Sequence, residues 1–334
     1  MSVTDAGAPL ADAGGADDRV LPFAVEALDV RGRVIRLGAA VDRIVSRHGY
    51  PEPVARVVAE AATLVGLLGT ALKFDGRLQL QTRSDGPVGM IVVDFDTPDR
   101  LRAMARFDAG RIAALGKGAV TATGDLLGHG HLALTIDQGS DMNRYQGVVA
   151  LTGRSFEEVA HLYFQQSEQI PTRVRLAAGQ VVEGGRSTWR AGGLLVQFLP
   201  ESPERRRSVD LDPGDAPEGH VAPAQEEDDA WTEAATLAVT AEDHELLDPT
   251  LSSERLLYRL FHERGVRVFE AQRLHEACRC SRERILDMLK SFSQDDRRDM
   301  IGEDGRIGVT CEFCSTHYVV EPAEAETPPP PERP

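Results

Sequence analysis

CRCSRER (278–284) and CEFC (311–314) hold all four cysteines of this 334-residue chain, with thirty residues between Cys280 and Cys311. Two short chelating pairs separated by a helical excursion can converge on one tetrahedral ion, and four thiolates favour zinc over hard cations. In a reducing compartment such clustering reads as a metal or redox site, not as a disulfide framework. A closed four-sulfur site leaves no open position for water or substrate, so a purely structural zinc is one reading. The Cys278-x-Cys280 pair favours a second, because a disulfide there closes a small, strained ring that suits a labile switch better than a permanent brace. Arg279, Arg282 and Arg284 surround this pair. They either help hold the thiolates ionised or form a solvated helix face. His275 and His317, each three residues outside an outer cysteine, are competing ligands, but four thiolates already complete the tetrahedron.

Around the cysteines, LSSERLLYRLFHE (251–263) and SRERILDMLKSFS (281–293) carry helical periodicity, and GRIGVT (305–310) and THYVV (316–320) read as short strands flanking the second pair. The result is a compact metal-nucleated module with too little core to stand easily alone. Upstream, residues 201–230 contain ten acidic and three basic residues with four prolines, the composition of a linker. It separates a large domain, 21–200, from the C-terminal part, 231–321. Residues 1–20 are Ala/Gly/Asp-rich and 322–334 end in ETPPPPERP, so both are expected to be disordered tails.

Within 21–200, Leu21 to Leu37 alternates loosely as strands do, and Pro51 to Phe74 opens with two prolines before a long apolar helix. RLQLQT (77–82) and VGMIVVDF (88–95) flank SDGP (84–87) as a hairpin. Further strands are expected at 132–137, 147–152, 173–178 and 193–198. SFEEVAHLYFQQSEQ (155–169) is expected to be a helix with a capping box between Ser155 and Glu158. The fold class is α+β, with a mostly antiparallel sheet and packed helices.

Lys and Arg number 37 against 53 Asp and Glu, a net charge of −16, which argues against nucleic acid as a partner. The longest uncharged run of the first domain, Ala61 to Leu72, falls short of the roughly 18 to 20 apolar residues of a membrane span. The first twenty residues lack the pattern of a signal or transit peptide, so no membrane partner and a cytoplasmic location are expected. GRIAALGKG (110–118) fails as a phosphate loop: five residues separate Gly110 from Gly116, Gly118 replaces the magnesium-holding hydroxyl, and the following AVTAT is strand-like. Gly128-His129-Gly130-His131 has no third ligand in view and reads as a turn entering the strand at Leu132. With no nucleophile elbow or HExxH motif, the chain is not expected to be an enzyme.

Joined to the cysteine spacing, HGYPEPV (48–54), LKFDGRLQLQ (72–81), SDGP (84–87), RYQGVV (144–149), YFQQSEQIPT (163–172) and AGGLLVQFLP (191–200) complete a pattern. The chain resembles the bacterial heat-shock protein 33 family of redox-regulated molecular chaperones. That resemblance implies an N-terminal α+β chaperone core, a metastable helical linker at 231–277 and a small C-terminal zinc-binding redox-switch domain at 278–321. It implies that Cys278, Cys280, Cys311 and Cys314 hold one zinc per chain when reduced, and form Cys278–Cys280 and Cys311–Cys314 disulfides on oxidation with release of the metal. It further implies ATP-independent holding of unfolded or aggregation-prone client proteins, and a homodimer in the oxidised form. The acidic insert at 203–228 and Ser315, where glycine is common, depart from the family pattern.

For so small a module, zinc-binding energy is folding energy, so losing the metal is expected to unfold it. Segment 231–277 carries many charges and a thin apolar stripe, and is expected to fold only while docked. Two rivals remain. One is a zinc-ribbon interaction module without chaperone activity. The other is an enzyme in the α+β domain using Tyr145, Gln146, Ser167, Glu168 or Gln169, whose alternative role is capping and strand-turn hydrogen bonding.

Overall fold

The loose alternation of residues 21–37 resolves into a hairpin, in which β1 (Arg19–Val25) and β2 (Val30–Leu37) pair antiparallel. Two helices follow, α1 (Ala39–Ser46) and α2 (Glu52–Ala71). Then come β3 (Arg77–Ser84), β4 (Met90–Asp96), β5 (Arg100–Arg106), the short helices α3 (Ala109–Ala114) and α4 (Thr123–Leu127), β6 (His129–Asp137) and β7 (Tyr145–Thr152). After α5 (Phe156–Tyr163) the long strands β8 (Thr172–Glu183) and β9 (Arg186–Phe198) close the first domain. This computed structural model describes residues 17–72, 74–116, 122–139, 144–199 and 228–326.

α2 is apolar on nearly every side, and a helix of that kind must be buried between layers. One layer is the sheet containing β1-β2-β9-β8, and the other is β5-β4-β3-β6-β7. Val57, Val58, Leu64 and Leu68 of the helix share one core with Ile35 and Leu37 of the first sheet and with Leu78, Val93 and Phe95 of the second. Gly66 and Gly69 allow the close approach, since a Cβ at Gly66 would strike Ile35 and one at Gly69 the ring of Phe95. Among the described residues α2 alone is long and apolar enough to cross a membrane, yet 78% of its most apolar window is buried inside the fold. The uncharged run at 61–72 understated this element, because helix burial is set by the neighbouring sheets and not by charge-free length.

The first sheet is covered on its other face as well. Helices α6 (Asp229–Val239), α7 (Asp243–Leu247) and α8 (Ser253–Phe261) lay Trp231, Ala234, Leu256, Leu257 and Phe261 against Phe23, Val34, Leu194 and Val196. Being apolar on both faces, β9 reads as a nearly continuous buried run. Beyond Phe261 the chain leaves helix. Gly265, at φ +74°, lets it turn into β10 (Arg267–Val268) and β11 (Gln272–Arg273), which pair with β1. β12 (His275–Glu276) then runs parallel to β5. Segment 231–277 is thus helical only to residue 264, and its last third is strand-like edge pairing.

The final region contains α9 (Arg282–Lys290), α10 (Gln294–Asp299) and the hairpin β13 (Ile307–Thr310) and β14 (His317–Val320). Its core is Ile285, Leu289, Ile307, Val320 and Ala325. The mostly antiparallel α+β expectation therefore holds, with two six-stranded sheets in place of one and the β13–β14 hairpin as a separate third.

Several local expectations shift. The helix expected at 155–169 has its capping box, but ends at Tyr163 and continues as a π turn over Phe164–Glu168. The strand expected from Leu132 begins at His129, after the turn at Gly128. Of the AVTAT stretch, residues 119–121 lie outside the described residues, and Thr123 starts a helix, not a strand. β1 begins inside the segment read as a tail, with Asp17 paired to Arg190. At the other end Pro322–Ala325 forms a short helical turn that buries Ala325. The acidic stretch 201–227 and residues 327–334 lie outside the described residues.

Candidate metal centre

The parallel pairing of β12 with β5 aligns Glu276 with Leu101 and delivers Cys278 beside Arg102. Three residues on, Ser281 caps α9 by accepting from the Arg284 amide at 3.3 Å, fixing a helix start directly behind Cys280. The second pair occupies the turn of the β13–β14 hairpin. There the Cys311 amide donates to the Thr316 carbonyl at 3.0 Å, and the Ser315 amide donates to the Cys311 carbonyl at 2.8 Å. Residue 315 takes a left-handed φ of +57° to close this turn.

The four sulfurs converge to within 4.8 Å of one another. Cys278 Sγ lies 3.6 Å from Cys311 Sγ, and Cys280 Sγ lies 3.3 Å from Cys314 Sγ. A tetrahedron with metal–sulfur bonds of about 2.3 Å has edges of roughly 3.8 Å, so the donor set fits a four-thiolate ion. Polar groups surround the sulfurs: the Tyr318 hydroxyl donates to Cys280 at 3.1 Å, the Thr316 hydroxyl lies 3.2 Å from Cys314, and Arg102 Nη1 lies 3.9 Å from Cys278. Such contacts orient ligands and balance thiolate charge. Proton affinities are uneven. Burial, opposed by Tyr318 and reinforced by the neighbouring sulfurs, pushes Cys280 up to about 12. Burial also acts upward on Cys314, but hydrogen bonds from the Thr316 hydroxyl and amide, with those to Cys280 and Cys278, bring it down to about 7.

The histidines proposed as competitors stay outside. His275 pairs at 3.7 Å with Asp99, and His317 Nδ1 lies 2.9 Å from the Thr310 hydroxyl. His129 and His131 are exposed on β6. Nor do the arginines of the first motif reach the sulfurs. Arg279 pairs with Asp96, Arg282 with Glu324 at 2.8 Å, and Arg284 donates to the Arg279 carbonyl at 3.1 Å. The cation near the cysteines is Arg102 of β5, held by the buried Asp94.

Sequence reasoning missed this first-domain seat: Arg102, Arg106, Asp94, Asp96, His48 and Tyr50. Arg106 pairs with Glu312 at 2.6 Å, and Glu276, nearly buried, pairs with Arg47 at 2.6 Å. Burial and the nearby Arg47, against the Phe313 carbonyl, hold His48 below its usual range. The one available signal was HGYPEPV, quoted for its resemblance but given no role. The polar residues of the enzyme alternative make structural bonds: Gln146 donates to Thr135 at 3.1 Å, Tyr163 donates to Glu168 at 3.2 Å, and Gln169 ends the π turn at φ +54°.

A family model described as Hsp33 protein matches residues 18–321. The chain is 46% identical over 315 residues to the 33 kDa chaperonin of Caulobacter vibrioides, covering 94% of this chain and 98% of that protein. It is 37% identical over 312 residues to the 33 kDa chaperonin of Pseudomonas aeruginosa, covering 92% and 93%. Among solved structures, it is similar to the 33 kDa chaperonin (heat shock protein 33 homolog) of Thermotoga maritima, with a TM-score of 0.70 over 92% of this chain and 96% of that one. Sequence identity there is 20%, so this last likeness concerns the fold alone.

Proposed function

This chain belongs to the Hsp33 family and is therefore a chaperone for unfolded proteins; from that premise we propose an ATP-independent holdase, inactive when reduced and zinc-bound, active once its cysteines are oxidised. The observation that supports it is the convergence of Cys278, Cys280, Cys311 and Cys314 on a module with only five buried core residues among those described. When bound, zinc supplies folding energy that the module lacks, of order 10 kcal/mol by comparison with small zinc peptides. Tyr318 and Arg102 direct donors at the sulfurs, and the Thr316 hydroxyl beside Cys314 can donate once that sulfur is ionised, so all three favour the metal-holding form.

On oxidation each cysteine pair, Cys278 with Cys280 and Cys311 with Cys314, gives up two electrons to a peroxide, and because thiolates carry no proton the two protons needed come from solvent. The peroxide O–O bond breaks to give two waters, and one S–S bond forms per pair. Sulfur contacts across the pairs in the reduced site do not dictate this outcome, since in a tetrahedron every sulfur neighbours every other. Local pairing is favoured because its short loops close without keeping α9 and α10 ordered. Loss of the four-thiolate set unfolds the module and frees β10–β12 from their strand edges. α6–α8 then loosen from the first sheet. The apolar surfaces so uncovered hold clients, while the −16 net charge keeps the open form soluble. A cytoplasmic location, a homodimer in the oxidised state and the absence of nucleic-acid partners complete the proposal.

The test is zinc content and free-thiol count before and after peroxide, paired with an aggregation-suppression assay. One zinc and four thiols with weak holding should become no zinc, no thiols and strong holding, in both cases indifferent to ATP. Equal holding before and after oxidation refutes the switch.

A further inference from the structure

We infer that His48, beside the Arg102–Phe313 contact, forms a lock that grips the Cys311–Cys314 turn from outside the metal site, so that undocking of the cysteine module and loss of its metal are separable steps. The inference rests on the zinc-bound reading above. His48 lies between α1 and α2 and stacks on Tyr50 with ring centroids 4.7 Å apart. Tyr50 is itself held by the Ala105 amide, which donates to its hydroxyl at 2.9 Å. The imidazole is thus oriented by the first domain.

Both of its nitrogens meet the turn. Nε2 lies 3.2 Å from the Phe313 carbonyl, which can only accept, so Nε2 carries the hydrogen. Nδ1 then accepts from the Ser315 hydroxyl at 3.0 Å. The Phe313 ring lies 4.0 Å beneath the guanidinium of Arg102, a cation–π contact whose cation is fixed by Asp94. Ser315 holds a left-handed φ of +57° that glycine would take without strain, and its hydroxyl is the group that reaches His48. Phe313 and Ser315 are gripped, but neither is a cysteine. Their positions are set by the same turn that places Cys311 and Cys314, so opening the turn withdraws both partners at once. His48 therefore reads the shape of the turn and touches no sulfur, while Arg102 alone also reaches one, Cys278, at 3.9 Å.

The experiment compares His48→Ala and Ser315→Gly with the parent chain, all full-length, reduced and zinc-loaded. Chelator competition reads the metal. Hydrogen exchange of residues 272–279 reads docking, because the His275 and Ala277 amides donate to Asp99 and Leu101 of the first domain at 2.8 and 3.1 Å. His48→Ala should keep one zinc with unchanged chelator resistance and exchange about tenfold faster at 272–279, the loss expected for roughly two hydrogen bonds. Ser315→Gly, which relieves the backbone and so keeps the fold accessible, should exchange about threefold faster, in line with one hydrogen bond. Unchanged exchange in both variants overturns the lock. Zinc lost in step with docking overturns the separability. A parent chain that binds no zinc defeats the metal reading instead, and the exchange comparison still decides the lock.

Discussion

The two regions that follow residue 228 attach to the first domain in opposite ways. α6–α8 lie on the first sheet through a broad apolar face, with Phe23 and Phe261 rings 5.7 Å apart and Phe198 and Trp231 6.1 Å apart. Polar clamps are added where the buried Arg36 donates to the Glu245, Leu246 and Asp248 carbonyls at 2.9 to 3.2 Å. The cysteine module sits on the second sheet through ion pairs, one cation–π contact and the His48 bonds, with five buried apolar residues of its own among those described. Apolar burial persists across redox states, whereas a thiolate site exists only while its cysteines are reduced. Under the proposed switch, the module is therefore the part that oxidation should melt outright, and the helices are the part it should loosen by degrees.

The largest expected effect follows from chelation or from Cys311→Ser, each removing on the order of 10 kcal/mol of metal-linked folding energy. Amide protection should vanish over Ile307–Thr310 and His317–Val320 and fall only partly over Asp229–Phe261. Equal loss in both regions breaks the contrast. Next in size is Trp231→Ala. Trp231 is 5% exposed, and truncating a buried aromatic costs about 3 to 5 kcal/mol. Holding activity should appear without oxidant while the zinc count stays at one. Zinc release by this variant would make the two attachments one cooperative unit.

The shared scaffold offers a pH test independent of redox. Glu60 on α2, whose burial outweighs the Thr123 hydroxyl bond at 2.6 Å, has its pKa pushed up to about 7 from an ordinary 4.5. With the folded value above the unfolded one, its contribution is fully present below pH 4.5 and is lost as pH rises through 7. Glu60→Gln should therefore raise the melting temperature at pH 8, by roughly 3 kcal/mol in free energy, and match the parent near pH 4.5. A pH-independent difference would place the burden elsewhere. Smallest is Ser252→Ala, which removes the cap accepting from the Arg255 amide at 3.2 Å. About 1 kcal/mol of α8 stability should be lost, seen as faster exchange in Ser253–Phe261 with no change in the cysteine hairpin.

Much of this was legible in the chain itself. The cysteine spacing announced the convergence of four sulfurs, the paired prolines and apolar run marked α2, and Ser155 with Glu158 marked the start of α5. These signals are local: ligand spacing, helix periodicity and capping act over a few residues, so sequence alone can carry them. β5 and α1 went unmarked because RLRAMAR and AAVDRIVS mix charge with small apolar residues, and only the sheet above and below makes their inner faces a core. Similarly, whether segment 231–277 stays helix or becomes edge strand depends on the open edges of β1 and β5, which no neighbouring residue encodes.

The seat of the metal site was decided by tertiary structure alone. Asp94 and Arg102 pair across adjacent strands, while His48 and Ser315 are 267 positions apart in the chain. Their meeting depends on how the second sheet lies against α2 and how β12 returns along β5. The sequence by itself determined which four sulfur atoms come together at a site that could hold a metal. Which side chains grip the module around it was set by packing, because hydrogen bonds and cation–π contacts require ångström-scale placement that only the assembled layers provide.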